Sequence, residues 1–437
     1  MRFDVLYLWF LGDPLTPQYV GTLRLVDGGK GVSLQYGAQW LANGFALSED
    51  LPLTDLEHRP RGRLTAGGDV AVGAVDDARP DRWGERVIQY LDRPKRASLM
   101  EYLYFAGDER FGALGVSTSD TQYLPREGGP LPRLDQAQEL SEVVAKIAAA
   151  EPITERERAV IRAAGSFGGA KPKALMAIGG QEWVVKFFNK EPVDAPLIEH
   201  ATMTLAAKAH IAVAQTQILT LFNGLHAIAV RRFDRQGDKR IHCISAGTAL
   251  RAATAAGQAP EFSYPALALL LRRAGVTDGD ANTHDASELF RRMVFNILMD
   301  NTDDHEKNHS LLVVSAWENG RFRLAPAYDV LPSNSGQGRQ EFVCGEMGHD
   351  ATLENAMSRC QSFGLSAPEA ARQVQEVIRV VDGWKEHFIA CGVTLGDIQQ
   401  LAQQIDGDEL LGQRRAFDAS RYATAPARRL RRSPFSR

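Results

Sequence analysis

The sequence predicts a mixed α+β chain, sheet-forming at its start and helical toward its end, on three observations. Short β-branched and aromatic runs, punctuated by Gly, Pro and Asp, fill residues 3–53. Two more such runs, KALMAIG and EWVVKFF, follow a glycine-rich turn at 165–169. Beyond Asp234, apolar residues recur at spacings of three and four, the period of helices with one buried face.

In order along the chain, FDVLYLWF, YVGTLRLV and GVSLQY read as a small meandering sheet. The stretch 71–91, AVGAVDDARPDRWGERVIQYL, turns helical after Pro80, and the Pro/Gly-rich YLPREGGPLPRLD at 123–135 reads as a linker. Amphipathic helices are expected near 136–150 and 154–163, then the two strands, then helices around 263–274, 286–300, 367–390 and 394–405. These divide the chain into a β-rich domain at 1–135, a lobe at 136–233, a helical lobe at 234–413 and a tail at 414–437. No repeat of fixed period is present, which argues against solenoids and propellers.

Composition bounds the function. At 437 residues, 44% hydrophobic and 24% charged, the chain matches ordinary globular proteins with two or three packed units. Fifty Lys+Arg against 54 Asp+Glu, net −4, argue against a surface that grips nucleic acid throughout. Cys243, Cys344, Cys360 and Cys391 are scattered without a C-x-x-C pair, which points to a reducing compartment and offers no zinc framework. Asp4 and a short apolar run at the start predict no signal peptide, and no uncharged apolar stretch is long enough for a span; the expectation is a cytoplasmic protein without membrane contact.

Three segments carry candidate chemistry. In FNILMDNTDDHEKNHSLLV (295–313) a helix gives way to a polar loop and then a strand, so Asp303, Asp304, His305, Asn308 and His309 sit between ordered elements. Asp303 and Asn308 reproduce the D-x-x-x-x-N spacing of a kinase catalytic loop, in which the Asp accepts the substrate hydroxyl proton and the Asn holds Mg²⁺. A solvated polar turn explains the same residues without chemistry. The strands SLLVV and FRLAP, joined by a WENG turn, then lead into Ala327-Tyr328-Asp329-Val330. A hairpin there returns the chain to the loop and places the Asp329 carboxylate beside the Asn308 amide as a second metal group; alone, Asp329 also reads as a turn cap before Pro332.

The second segment, Ala164-Gly165-Ser166-Phe167-Gly168-Gly169-Ala170-Lys171-Pro172-Lys173, is glycine-rich and precedes a strand, which lets backbone N–H groups approach phosphate oxygens. It matches neither a Walker A nor a G-x-G-x-x-G pattern, and an ordinary β-turn is the alternative. In the third, VVKFF, Lys186 is flanked by apolar residues and needs an anionic partner; the phosphates of ATP are one, and Glu199 on the next helix is placed to orient it. His305 and His309, four apart, also have a spacing that serves zinc on a helix, but no third ligand stands out and a Mg²⁺ site accounts better for the cluster.

SFGGAKPK, VVKFF, RRFDR, NTDDHEKNHS and APAYDVLPS, in that order, together with VGTLRL, WLANGFALSEDLPL and DDARPDRWGERVI near the start, resemble the HipA family of kinases over most of the chain. The resemblance implies a bilobal protein-kinase-like fold carrying that family's β-rich N-terminal domain. It implies Asp303 as catalytic base, Asn308 and Asp329 as Mg²⁺ ligands, and Lys186 on the phosphates. It implies ATP contacts from Gly168, Gly169, Ala170, Lys171, Pro172, Lys173 and His305, with Arg231, Arg232 and Phe233 at the adenine hinge. Arg231 stands where family members usually carry Glu. Ser166 reads as a turn serine from its surroundings; the resemblance makes it the site of self-phosphorylation that ejects the loop and switches activity off. Further implications are a protein substrate in translation such as an aminoacyl-tRNA synthetase, a helix-turn-helix antitoxin of HipB type, and DNA contact only through that partner. A regulatory ATP-binding co-repressor without turnover is the competing reading. The tail from Arg414 holds eight arginines and one acid, Asp418, and reads as a solvated segment able to touch operator phosphates.

Overall fold

The computed structural model describes residues 2–60, 70–126, 128–165, 169, 171–188, 191–222, 224–255, 257–315 and 321–423. The N-terminal region folds as β1 (Val5–Phe10), β2 (Gln18–Val26), β3 (Gly31–Tyr36), α1 (Ala38–Asn43), β4 (Val70–Ala71), α2 (Ala74–Asp77), α3 (Arg82–Leu91), α4 (Leu99–Phe105) and β5 (Leu114–Ser117). Its sheet has the order β4-β3-β2-β1-β5, antiparallel except where β3 meets β4. Leu6 and Leu8 alternate with more exposed neighbours along β1, so one sheet face is buried under α4 and the loops. The meander is thus present with more helix than the strand runs suggested. α3 begins where Asp81 accepts a hydrogen bond from the Arg82 N–H at 2.8 Å, just after Pro80.

α5 (Ala137–Ala148) and α6 (Glu155–Ala163) follow, the latter started by a reciprocal Thr154–Glu157 cap. They cover the sheet of β6 (Lys173–Ile178), β7 (Gln181–Phe187), β8 (Thr216–Thr220) and β9 (His226–Arg231), ordered β6-β7-β9-β8, with α7 (Ala195–Lys208) connecting β7 to β8. The linker at 123–135 is tied to this lobe, since Pro132 O accepts from the Ala177 N–H at 2.8 Å. α3 also packs into this lobe's core through Trp83, Val87 and Leu91.

The remainder comprises β10 (Arg235–Gln236), β11 (Lys239–Arg240), β12 (His242–Ser245), α8 (Ala246–Ala253), α9 (Tyr264–Ala274), α10 (Ala281–Leu298), β13 (Ser310–Ser315), β14 (Arg321–Leu324), α11 (Leu353–Ser358), α12 (Ala367–Asp382), α13 (Trp384–Ala390), α14 (Leu395–Ile405) and α15 (Asp408–Ala416). α10 is its central rod. Leu289, Phe290, Met293, Phe295 and Ile297 are all buried there, each contributing roughly 1.5–3 kcal/mol on burial. That helix ends at the polar loop 299–309, and β13 leaves the loop to pair with both β12 and β14. The expected helix at 367–390 is two, broken at Gly383. The expected tail begins too early: Arg414 lies within α15, buried, bonding Asp382 at 2.9 Å and Asp406 at 2.7 Å. Residues 424–437, the WENG turn, Ser166, Gly168 and Ala170 lie outside the described residues.

Candidate active site

Lys186 stands on β7 between buried Val185 and Phe187 and is itself only 6% exposed. An ammonium placed there without partners would lose its proton or leave the core. It has two partners: Nζ lies 2.7 Å from Glu199 on α7 and 2.5 Å from Asp329 beyond β14. Burial works to lower its pKa, but the two carboxylates overcome it and raise it. Burial likewise drives the Asp329 carboxyl up, and Lys186 and Lys173 more than reverse this, leaving it well below the usual carboxylate range. For fully enclosed Glu199, burial prevails over Lys186 and the pKa is raised. Glu199 Oε2 is a buried oxygen with no hydrogen-bond partner among the described residues.

Lys173 pairs directly with Lys186 across the β6–β7 ladder. Burial first, and the Lys186 charge second, bring its ammonium down to about 8. Two cations side by side at the end of a glycine-rich turn form a site for an anion with several negative oxygens. Gly169 has φ +126°, and a Cβ there would fall 2.1 Å from Lys173 Nζ, so a side chain would both strain the turn and displace the ammonium.

Opposite lies the 299–309 loop, braced from below. Asn301 donates to Asn296 at 3.1 Å and Asn296 to the Tyr264 hydroxyl at 3.1 Å; Tyr264 in turn donates to Asp304, which His309 Nε2 also contacts at 2.8 Å. Leaving any one of these buried groups unpaired costs about 1–3 kcal/mol, so the chain of bonds holds the loop in one shape. Asp303, next to the wholly buried Asp304, is exposed, and among the described residues its carboxyl group has no protein partner. Asn308 is buried, with Nδ2 donating to the Asp303 carbonyl at 3.3 Å and Oδ1 without a donor among the described residues.

The Tyr328 hydroxyl donates to the Lys307 carbonyl at 2.7 Å, which fastens the Asp329 segment against this loop. Asp329 itself has φ +58°, a left-handed conformation uncommon outside glycine and often found at functional sites. The expected hairpin is in place, and it brings Asp329 to Lys186 as well as to the loop.

A family model described as the HipA-like C-terminal domain matches residues 165–384, and one described as the HipA N-terminal domain matches residues 15–117. The chain belongs to the HipA family. The HipA of Shewanella oneidensis MR-1, solved with HipB and operator DNA, superposes with a TM-score of 0.64 at 17% identity, covering 97% of this chain and 100% of that one. The putative kinase Y4dM of Sinorhizobium fredii is 30% identical over 165 residues, 35% of this chain; the match spans only 37% of that relative's length. The Helicobacter pylori kinase CtkA aligns with a TM-score of 0.35 at 13% identity over 58% of this chain and 95% of its own.

Within this HipA-family α+β fold, Lys173, Lys186, Glu199 and Asp329 converge, and Asp303, His305 and Asn308 share the facing loop. His305 Nδ1 accepts from the Lys307 N–H at 3.2 Å. Lys171 is exposed, its ammonium 4.5 Å from the Phe188 ring centroid, and the Pro172 carbonyl accepts from the Phe187 N–H at 3.0 Å. At the hinge, Phe233 packs on Tyr328 with ring centroids 5.4 Å apart. Arg231 instead points to Gln181 at 2.7 Å and Gln215 at 3.3 Å on the sheet surface. The Arg232 side chain is buried among protein groups, bonding Asp234 at 2.7 Å and Glu182 at 3.2 Å, and that charge cluster ties β7 to the N-terminal region. His309 Nε2 lies 2.8 Å from Asp304, and no group of three or more His, Cys, Asp or Glu side chains placed to hold a metal ion occurs among the described residues. No helix among the described residues is long and apolar enough to cross a membrane. Sequence reasoning missed Trp83, whose indole N–H reaches the Lys173 carbonyl, and the brace Tyr264, and it placed Asp304 in the loop without its bracing role; a Trp two residues after a helix-starting Asp was the one available signal.

Proposed function

We propose that this protein is an ATP-dependent serine/threonine-protein kinase acting as a toxin. The observation that carries the reading is Lys186 held between Glu199 and Asp329 across from a braced loop that leaves the Asp303 carboxyl group open. In this reading Lys186 and Lys173 receive the ATP phosphates, Phe233 and Tyr328 wall the adenine side, and Asp303 accepts the substrate hydroxyl proton as the γ-phosphoryl group passes to that oxygen. The donor set fits Mg²⁺: Asp329 offers a carboxylate held ionised and Asn308 an amide oxygen without a protein donor, both hard ligands. When bound, the ion neutralises charge on the phosphates.

The substrate we propose is a protein of translation such as an aminoacyl-tRNA synthetase, and the partner a helix-turn-helix antitoxin of HipB type, the kind of protein bound by the Shewanella relative. Self-phosphorylation at Ser166 as an off-switch belongs to the same proposal, as does a division at residues 135 and 233. The test is incubation with γ-labelled ATP, Mg²⁺ and a cell lysate, followed by mass spectrometry. Label on one host protein and on Ser166 supports the reading. Tight ATP binding with no transfer to any protein, the protein itself included, contradicts it.

A further inference from the structure

The segment Asp77–Trp83 of the N-terminal domain touches both sides of the candidate site. Trp83 sits in the first turn of α3, where backbone N–H groups lack partners inside the helix. Its N–H donates to the Gly169 carbonyl at 3.0 Å, and its indole Nε1–H donates to the Lys173 carbonyl at 2.7 Å. The two bonds therefore hold the last glycine of the turn and the lysine that opens β6. The indole is 4% exposed, wedged in the core that α3 shares with β7, so the grip has a rigid base.

Two residues earlier, Asp81 meets Lys307 of the catalytic loop at 3.2 Å. Asp77 accepts from Ser245 N–H at 2.7 Å and Oγ–H at 2.8 Å. Ser245 precedes α8, whose first N–H groups, those of Ala246 and Gly247, bond the His309 and Glu306 carbonyls. One short segment thus spans from the phosphate-side turn to the proton-accepting loop.

We propose that Trp83 is a positioning residue for nucleotide, holding the Gly169–Lys173 turn at a fixed height over the catalytic loop. This rests on the kinase reading above. Loss of one such hydrogen bond changes an equilibrium by about three- to tenfold. Trp83→Phe keeps an aromatic wedge and removes only the Nε1–H. It is expected to raise KM for ATP about three- to tenfold with kcat within about twofold. A variant that merely folds less well lowers the active fraction, and so kcat, at unchanged KM. Unchanged KM in folded Trp83→Phe overturns the proposal while leaving the kinase reading intact. Hydrogen exchange on the unaltered protein supplies a second check that needs no variant. ATP with Mg²⁺ should slow exchange of the Trp83 backbone amide, and exchange unaffected by bound nucleotide overturns the proposal. If the unaltered protein binds no ATP, both this inference and the kinase reading fall.

Discussion

The 299–309 loop and the cluster around Arg232 both concentrate charge, yet they use it in opposite ways. At the hinge, Arg232, Arg235 and Arg240 meet Glu109, Glu182 and Asp234 in a closed set of ion pairs. Burial alone would raise the Asp234 pKa, but Arg232 and Arg235 bring it to about 2. In the loop, Asp304 is as deeply buried as Asp234, but its bonds to Tyr264 and His309 serve to present a neighbour, Asp303, that has no protein partner among the described residues. A site that transfers protons must keep one group open, whereas a cluster that welds domains keeps none. The comparison separates the two in residues that look alike in sequence, RRFDR and NTDDH.

The difference is sharpest in what removal of one carboxylate does. Asp303→Asn should cut phosphoryl transfer about 10²–10⁴-fold with ATP affinity and thermal stability unchanged, as read by steady-state kinetics beside calorimetry. Asp234→Ala should do the reverse, stranding two buried guanidinium groups and lowering unfolding stability by about 3–5 kcal/mol in urea titration, with the chemistry per folded molecule intact. Transfer retained in Asp303→Asn, or Asp234→Ala as stable as the parent, would erase the distinction.

A smaller effect follows from His242, buried beside the hinge with Nε2 donating to the Leu47 carbonyl at 3.0 Å. Burial holds its imidazole down to about 4, against an ordinary 6.5. The folded protein therefore stays neutral there while the unfolded chain takes up a proton. This contribution to stability is fully present above about pH 6.5 and falls as pH drops toward 4, by about 3 kcal/mol in all. Urea midpoints between pH 7 and 4 for the parent and His242→Gln test it, the variant showing the shallower decline. The smallest effect is expected at Arg231: its side chain lies on the sheet surface, so Arg231→Glu should change KM for ATP less than about threefold.

How much of this was legible depends on sequence distance. The candidate loop is contiguous from Asp303 to Asn308, and its polar run after a strongly periodic helix announces it. Lys186 and Glu199 lie only 13 residues apart on successive elements. The hinge cluster was not legible, because Arg232 finds Arg110 at a separation of 122 residues and nothing local distinguishes it from Arg231. Arg414 was misread for a related reason: its acids, Asp382 and Asp406, come from other turns of the helical lobe, and composition alone makes it one more tail arginine. Trp83 was invisible as a site residue since its bonds go to backbone carbonyls, which carry no sequence signature.

The central claim is that Asp329 serves bound nucleotide while Asp303 serves the transferred proton. Calorimetry of ATP binding with and without Mg²⁺, on the parent, Asp303→Ala and Asp329→Ala, addresses it most directly. The account predicts that Mg²⁺ strengthens ATP binding to the parent and to Asp303→Ala alike, and that Asp329→Ala loses most of this gain. Equal Mg²⁺-dependent affinities for the parent and Asp329→Ala would contradict it, and would reduce Asp329 to a turn residue paired with Lys186.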